Sequence, residues 1–305
     1  MRSLEEIVGA PIVEDVRAAW GFENETHLVT TADGRRLAVQ RLRDRSAART
    51  RLQVLTIEER LRAADIPVPV SVTGRASDAE NDGGADDPLL VTVRIDGQPG
   101  NSLLDEPDDA RLLARAMGQL HRRVAGIDVG VAIEAGLDET WIDPAALARS
   151  TRAWMADAAA WLDDDDRLAI ERRIEDVPRV LTGRIGVLAH GDFVPVNVLV
   201  RDRSIVALLD WEDARIADPT LDVGWWLWVV HHHHPAIHQH IATEFRDAAG
   251  VPSDAATRAR MELFVTLRLL EILARSRSTD AERARRRVAT LRAALSGDAA
   301  AAFGP

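Results

Sequence analysis

The sequence predicts an α+β fold of two lobes: a small N-terminal β-sheet lobe with one helix, then a larger, mainly helical C-terminal lobe. Two β-rich runs joined by Asp33-Gly34 predict a hairpin near the N-terminus. After residue 100, amphipathic segments with apolar residues at helical spacing dominate. The segment "DGQPGN", residues 96–101, is typical of a hinge between them. We therefore predict an N-terminal lobe over 1–95 and a C-terminal lobe over 96–305.

Within the N-terminal lobe, spacing and turn residues predict each element. The apolar residues of segment 1–20 are spaced for a short helix. Residues 27–43 contain the predicted hairpin, and 50–66 form a helix that ends before Pro67, because the residue before a proline disfavours helical backbone. A polar, Gly-rich segment then predicts a surface loop before the strand 89–95.

The C-terminal lobe is predicted to be helical apart from one hairpin. Apolar residues recur at helical spacing in several segments. These segments are 108–124, 143–162, 166–181, 235–250, 252–277 and 279–295. The stretch 188–222 interrupts them with two short β-rich runs, 198–200 and 205–209, and "RDRS" supplies the turn between the runs. A further helix is expected directly after Asp222.

Composition limits the classes of function that are possible. The chain has 305 residues, a net charge of −11 and no Cys. The acidic balance argues against a nucleic-acid partner, whose phosphates attract basic surfaces. A membrane partner is not expected either, because no apolar run reaches about 18 residues and no signal peptide precedes the first acids. We expect a cytoplasmic protein, monomer or homodimer, that acts on a small molecule and uses no thiol chemistry.

An unusual set of polar residues surrounds the predicted hairpin. Asn197 and Asp210 flank its two runs and should meet at its open end, because the turn folds one run back on the other. Asp192 lies five residues before Asn197. Two carboxylates and an amide oxygen are hard ligands that suit Mg²⁺. Since Mg²⁺ needs only one or two protein carboxylates when phosphates complete its shell, the set predicts a phosphoryl-transfer site.

Two motifs in this stretch resemble those of a known family. "HGDFVPVNVLV", residues 190–200, is similar to the H-G-D-x-x-x-x-N catalytic loop of aminoglycoside phosphotransferases and their small-molecule kinase relatives, which share the protein-kinase-like fold. "LLDWEDARIADPTLDVGW", residues 208–225, resembles the metal-binding Asp segment of that family, and part of it is also similar to macrolide phosphotransferases. The order of small sheet, hinge and helical half agrees as well. The resemblance therefore covers nearly the whole chain.

This resemblance implies a function and a role for each motif residue. The chain would transfer the γ-phosphate of ATP or GTP to a hydroxyl of a small molecule, with an aminoglycoside- or macrolide-type antibiotic as the leading acceptor. Asp192 would accept or orient the hydroxyl proton, while Asn197 and Asp210 would hold Mg²⁺ at the phosphates. His190 would brace the loop, and Asp218 and Asp222 would be structural carboxylates.

The nucleotide site departs from the family pattern. The family carries a Lys on the strand after the first hairpin, but this chain has no Lys and Gln40 occupies that position. Gln40 could still donate to a phosphate oxygen. Arg41 or Arg43 could supply the missing charge, although Arg41 points to the opposite face of the strand from Gln40. On the following helix, Glu58 is the first choice for the family's helix glutamate and Glu59 is the second.

The predicted strand 89–95 lies where the family's hinge strand presents main-chain groups to the adenine edge. By this position, Thr92, Val93 and Arg94 are candidate nucleotide-binding residues. The full set of nucleotide-site candidates is Gln40, Arg41, Glu58, Thr92, Val93 and Arg94.

Several residues outside the motifs have more than one interpretation. His231–His234 are adjacent and would point in different directions on a helix, so a solvated or helix-end cluster is favoured over a metal site. Trp225 and Trp228 share a helix face and are favoured as core residues, although one of them could line the acceptor pocket. Acids that could receive a cationic acceptor are Glu212, Asp213, the run Asp163–Asp166, Glu262 and Glu271.

Two rival functions remain open. A metabolic kinase for a sugar, an amino alcohol or an amino acid would use the same motifs, and turnover across acceptor panels would separate it from an antibiotic kinase. A nucleotide-binding pseudokinase is the rival of another class, supported by Gln40 in the Lys position. Mg²⁺-dependent consumption of ATP or GTP with any acceptor would exclude it.

Overall fold

The computed structural model describes residues 4–18, 25–42, 44–72, 89–276 and 281–304. Within these ranges a small antiparallel sheet is followed by a larger, mostly helical lobe, so the predicted two-lobed α+β fold is confirmed. None of the helices in these ranges combines the length and the apolar character that a membrane span requires. Arg43 and most of the predicted surface loop lie outside the described residues.

The N-terminal sheet consists of four antiparallel strands that neighbour one another in chain order. After a short helix, α1 (Leu4–Val8), the strands are β1 (Ile12–Arg17), β2 (Glu25–Thr31), β3 (Arg36–Arg41) and β4 (Leu89–Val93). The predicted hairpin joins β2 to β3, and Gly34 in its turn has a φ of 84°, a conformation that glycine adopts without steric cost. The register sets Gln40 opposite Leu90.

The helix prediction for segment 1–20 is wrong after Val8. Residues 12–17 form a strand that pairs with β2 along its length. Val13 and Val16 are 67% and 49% exposed, so this edge strand buries no alternating face. Because alternation is what identifies a half-buried strand in a sequence, apolar residues at mixed spacing were compatible with a helix here.

Two helices replace the single helix predicted over 50–66. They are α2 (Arg45–Leu55) and α3 (Glu58–Ala63). Thr56 ends α2, because its main-chain N–H and its hydroxyl both donate to the carbonyl oxygen of Gln53, at 3.1 and 2.7 Å. Thr and Ile at 56 and 57 are β-branched, which further disfavours continuous helix. The helical conformation of this segment is predicted correctly, but the prediction of a single continuous helix is wrong.

The helices α2 and α3 pack on the larger lobe more than on their own sheet. Their apolar residues and those of the extended exit join the core that contains Phe193 and Trp211 of the larger lobe; these residues are Val54, Ile57, Leu61, Ile66 and Val68. Contact with the sheet is a small cluster of Leu42, Ala48 and Leu90, with Leu55 beside it. Residues on both sides of the predicted boundary between residues 95 and 96 therefore contribute to one core.

The larger lobe contains the predicted helices, a three-stranded sheet that includes the predicted hairpin, and a two-stranded sheet. Its helices are α4 (Pro107–Ala125), α5 (Val129–Glu134), α6 (Pro144–Asp157), α7 (Asp164–Leu181), α8 (Thr220–His233), α9 (Pro235–Ala249), α10 (Ala255–Ala274), α11 (Ala281–Leu295) and α12 (Asp298–Ala301). Its strands are β5 (Gln98–Pro99), β6 (Val187–Ala189), β7 (Val198–Arg201), β8 (Ser204–Leu208) and β9 (Arg215–Ala217). Strands β5, β7 and β8 form one sheet, and β6 pairs with β9. The predicted helices of this lobe are present, but the helix predicted over 143–162 ends at Asp157, and the sheet of β6 and β9 was not predicted.

Candidate active site

The hairpin of β7 and β8 brings Asn197 and Asp210 to neighbouring positions. Residues 202 and 203 form its turn, both with positive φ. The pairing continues past the strands, since the main-chain N–H of Leu209 donates to the carbonyl oxygen of Asn197 at 2.8 Å. Asp210 then leaves the strand in the left-handed conformation, with φ 57° and ψ 56°. The open end of the hairpin therefore carries both side chains, as the sequence predicts.

The loop that carries Asp192 is held by its main chain. The carboxylate of Asp222 accepts the main-chain N–H groups of His190 and Gly191, at 2.7 and 2.9 Å. Gly191 has a φ of 82°, and a Cβ there would lie 1.9 Å from the carbonyl oxygen of Asp213. Only glycine fits at this position, because the loop lies directly against the segment that follows Asp210.

The imidazole of His190 joins this loop to the end of β8. The contact between its Nε2 and the carbonyl oxygen of Leu209 is 2.7 Å, and its Nδ1 faces the main-chain N–H of Asp192 at 3.3 Å. Both contacts are satisfied when Nε2 carries the proton and Nδ1 accepts. His190 thus positions Asp192 against Asp210, in keeping with the bracing role that the resemblance implies.

The carboxylate of Asp192 accepts one hydrogen bond on each oxygen. The amide of Asn197 donates to Oδ2 at 2.8 Å and also to the main-chain oxygen of Asp192 at 2.9 Å. Nε1 of Trp225 donates to Oδ1 at 2.8 Å. Sequence reasoning missed this role of Trp225, which it treated as core or pocket wall. The available signal was that a buried indole N–H usually needs an acceptor.

Asp210 lies at an acidic part of the cleft between the lobes, with its side chain exposed and its hydration limited by the surrounding protein. This limited hydration raises the pKa of Asp210, and the Asp192 carboxylate raises it further, while Gln40, Arg51 and His190 act in the opposite direction. Nε2 of Gln40 lies 3.4 Å from Oδ1 of Asp210 and 3.5 Å from Oε1 of Glu212. Gln40 therefore reaches from the sheet to the proposed metal ligand.

Asn197 and Asp210 present oxygens that fit Mg²⁺. The Nδ2 of Asn197 is used by Asp192, which leaves Oδ1 of the same amide as a ligand atom. In the described ranges no group of three or more His, Cys, Asp or Glu residues could hold a metal by itself. One carboxylate and one amide oxygen suit Mg²⁺, which takes its other ligands from water and phosphate.

His231–His233 form the last turn of α8, where the ring of His232 stacks on Trp228.

The remaining nucleotide-site candidates are held by other contacts. Glu58 is buried and accepts the hydroxyl of Ser71 at 2.7 Å and a guanidinium N–H of Arg62 at 3.2 Å, whereas Glu59 is exposed. The main-chain N–H groups of Val93 and Arg94 donate to the carbonyl oxygens of residues 70 and 36, at 2.8 and 2.9 Å. Thr92 is buried opposite Ala38, and Arg41 lies opposite Leu89. Among the described residues, Gln40 is the candidate that contacts the acidic cleft.

Two of the acids proposed for a cationic acceptor belong to a buried ion-pair network. Asp213 and Glu271 share the guanidinium groups of Arg215, Arg268 and Arg275. Burial acts to raise the pKa of Glu271, but the three arginines outweigh burial and lower the pKa to about 2. The guanidinium carbon of Arg268 also lies 5.9 Å from the ring centroid of Trp225. Through Arg268 this network lies against Trp225, whose indole holds Asp192.

A two-lobed fold with an aspartate loop, an asparagine and a second aspartate at one hairpin defines a protein-kinase-like phosphotransferase. The sequence profile of the phosphotransferase enzyme family matches residues 15–264, and the chain belongs to this family. It is therefore an enzyme of the kinase type, and the resemblance noted in the sequence is confirmed. No curated protein matches the chain.

Solved structures with the same fold include aminoglycoside and macrolide phosphotransferases. The GDP complex of aminoglycoside 2'-phosphotransferase-IIIa is 19% identical, with 98% of this chain and 96% of that chain covered and a TM-score of 0.71. Macrolide 2'-phosphotransferase MphH from Brachybacterium faecium is 20% identical, with 93% and 96% covered and a TM-score of 0.64. A thermostable mutant of aminoglycoside phosphotransferase APH(4)-Ia is 17% identical, with 99% of each chain covered and a TM-score of 0.72.

Proposed function

We propose that the protein is a Mg²⁺-dependent phosphotransferase that moves the γ-phosphate of ATP or GTP to a hydroxyl of an aminoglycoside- or macrolide-type antibiotic and so inactivates it. The observation that carries the proposal is the Asp192 carboxylate, oriented by Asn197 and Trp225 beside Asp210 in a member of the phosphotransferase family. Neighbours of the same fold have been solved with GDP and kanamycin, or with ADP and hygromycin B, which supports the choice of donor and acceptor.

The side chains divide the work of the reaction between them. Asp192 would accept a hydrogen bond from the acceptor hydroxyl and take its proton as the hydroxyl oxygen attacks the γ-phosphorus. The bond from that phosphorus to the bridging β,γ-oxygen would break, and the nucleoside diphosphate would leave. Because Asn197 and Trp225 already fix both of its oxygens, the carboxylate is oriented before the acceptor binds. Asp210 and Asn197 Oδ1 would hold Mg²⁺. When bound, this ion neutralises charge on the phosphate oxygens.

Charge in the larger lobe bears on the choice of acceptor. Asp213 and Glu271 are bonded to three arginines and are therefore not available to ammonium groups of a ligand. Of the other acids in this set, Glu212 lies 3.5 Å from Nε2 of Gln40 and Glu262 lies 4.0 Å from Arg173. This balance supports a weakly cationic, macrolide-type acceptor over a polycationic aminoglycoside within the proposed class.

The test is a phosphorylation assay with ATP and with GTP across aminoglycosides, macrolides, sugars and choline. We expect Mg²⁺-dependent turnover of at least one antibiotic. Asp192→Asn should lower kcat at least about 100-fold and leave the Kd for the nucleotide within about 2-fold, because the residue acts in proton transfer. An unchanged kcat in this variant would refute the role of Asp192.

Other outcomes of the panel assign the rival functions. Turnover confined to a sugar, an amino alcohol or an amino acid would replace the antibiotic acceptor with a metabolic one. Nucleotide binding without transfer to any acceptor would support the pseudokinase that Gln40 suggests.

A further inference from the structure

Arg51 of α2 is a buried guanidinium that forms no ion pair with a described residue. It is 4% exposed, and its Nη1 has no hydrogen-bond partner within the described part of the chain. The other buried arginines of the described ranges, Arg215 and Arg268, donate to Glu271 at 3.1 and 2.5 Å. Burying a cation is strongly unfavourable unless a partner offsets the lost hydration. Arg51 therefore lacks the compensation that its two counterparts have.

The position of Arg51 is at the acidic end of the cleft. Its helix packs against the Trp211–Asp213 turn, which directly follows Asp210. Burial lowers the pKa of Arg51, whereas the nearby carboxylates of Glu58, Asp210 and Glu212 raise it. Conversely, the guanidinium of Arg51 lowers the pKa of the Asp210 carboxyl. The cation and the proposed metal ligand are thus electrostatic neighbours.

The side chains at this end of the cleft are chemically suited to a polyphosphate. Gln40 offers an N–H to the cleft but no charge, and the chain has no Lys. Arg41 follows Gln40 on the same strand and so faces the other side of the sheet. A guanidinium remains charged at any accessible pH, and its forked N–H groups match the oxygens of a phosphate.

We propose that Arg51 binds the phosphates of the nucleotide and supplies the charge that a strand Lys would otherwise provide, with Gln40 as a neutral second donor. The inference rests on the proposed function, since it requires a nucleotide in this cleft. A phosphate oxygen would give Nη1 its missing acceptor. The same polyphosphate would share Mg²⁺ with Asp210, so that the charges of Arg51 and Asp210 are both compensated in one complex.

The experiment measures the affinity of the full chain for Mg·ATP, Mg·GTP and the two nucleosides by calorimetry. Variants are Arg51→Met, Arg51→Lys and the control Arg49→Met, which changes the same charge at an exposed position of the same helix. We expect Arg51→Met to weaken triphosphate binding about 10- to 100-fold and to leave nucleoside binding unchanged. The triphosphate affinity of Arg51→Lys should lie between those of Arg51→Met and the wild type, and the affinity of Arg49→Met should equal that of the wild type.

Thermal unfolding separates phosphate binding from a structural role. Without nucleotide, Arg51→Met should melt at or above the wild-type Tm, because an unpaired buried charge is removed. The rise in Tm on adding Mg·ATP or Mg·GTP should shrink in this variant. A lower Tm without nucleotide, together with wild-type triphosphate affinity, would show that Arg51 only offsets the neighbouring carboxylates, and would overturn the inference.

Failure of the inference and failure of the proposed function give different results. If the wild type binds Mg·triphosphate and Arg51→Met binds it equally well, only the inference is wrong. If the wild type binds neither triphosphate, the proposed function fails and the inference fails with it. Should Arg51→Met not fold, Arg51→Lys decides: wild-type affinity in that variant contradicts recognition by the guanidinium, and a loss of several-fold supports it.

Discussion

The indole of Trp225 donates to the carboxylate of Asp192 across 33 positions of sequence, at 2.8 Å. Asp222, one turn earlier on α8, accepts the main-chain N–H groups that precede the same aspartate. Residues three apart on a helix share a face, so one helix face orients both the backbone and the side chain of the loop. The helix α8 is therefore the main support of the proposed base.

Trp225→Phe should lower kcat about 10-fold or more and leave the Kd for the nucleotide unchanged. The ring is largely kept, but the charge-assisted hydrogen bond to Asp192 is lost. Steady-state kinetics and nucleotide calorimetry measure the two effects. The matched control is Trp226→Phe, since that neighbouring indole donates to the sulfur of Met117. Equal losses of kcat in both variants would refute a specific role for Trp225.

Gly191→Ala should cost more than about 3 kcal/mol of the free energy of unfolding and abolish transfer, because its methyl would overlap the carbonyl oxygen of Asp213. Gly183→Ala is the control: φ there is 77°, similar to that of Gly191, but nothing lies within 4 Å of the added Cβ. This control should cost about 1 kcal/mol, for the left-handed backbone alone. Urea unfolding measures both, and similar costs would contradict the packing argument.

Glu271→Gln should lower the free energy of unfolding by about 3 kcal/mol at pH 7, because it breaks a buried ion-pair network. The pKa of Glu271 is lowered from 4.5 to about 2, so its ionised form stabilises the fold above pH 4.5. That contribution is lost as the pH falls towards 2. Urea titrations should therefore show the difference between wild type and variant shrinking over this interval.

The control for this pH dependence is Glu262→Gln on the same helix. Its carboxylate is partly exposed and 4.0 Å from Arg173, so its loss should change stability little at either pH. A Glu271→Gln difference that stayed constant from pH 7 to pH 2 would show that the carboxylate does not titrate as expected.

Asp210→Asn should raise the Tm of the nucleotide-free protein only slightly, because the side chain is exposed, while removing its response to Mg·nucleotide. Limited hydration raises the pKa of Asp210 above 3.8, so the ionised form is less favourable in the folded chain and stability decreases as the pH rises above 3.8. Asn carries no charge, and it is a poorer ligand for Mg²⁺. Thermal scans with and without Mg·ATP measure both effects. A lower Tm with an intact Mg²⁺ response would contradict both parts.

The local chemistry of the site could be predicted from the sequence, because a short hairpin brings Asn197 and Asp210 together whatever surrounds it. The hydrogen bond from Trp225 to Asp192 could not be predicted from the sequence. Spacing assigned Trp225 to a helix face, but its acceptor is set by how α8 packs on the loop. The same applies to Asp213 and Glu271, since the arginines that neutralise them come together only in the tertiary structure.

Predictions for the small lobe failed where tertiary contacts decide the local structure. The edge strand β1 exposes Val13 and Val16, so its sequence carries no strand pattern. Arg51 shows no signal either, since an Arg on a surface helix and one buried at a cleft have the same sequence spacing. The pairing of Glu58 with Ser71 and Arg62 likewise depends on where the chain after α3 returns to the sheet.

The helices α2 and α3 share the core of the larger lobe, so a shift of the N-terminal sheet would leave Arg51 in place beside Asp210. Gln40 belongs to the sheet, which contacts α2 through a few apolar side chains, and would move with the strands in such a shift. The proposed phosphate contact of Arg51 would then be in place before the nucleotide binds, whereas the contact of Gln40 would depend on the position of the sheet.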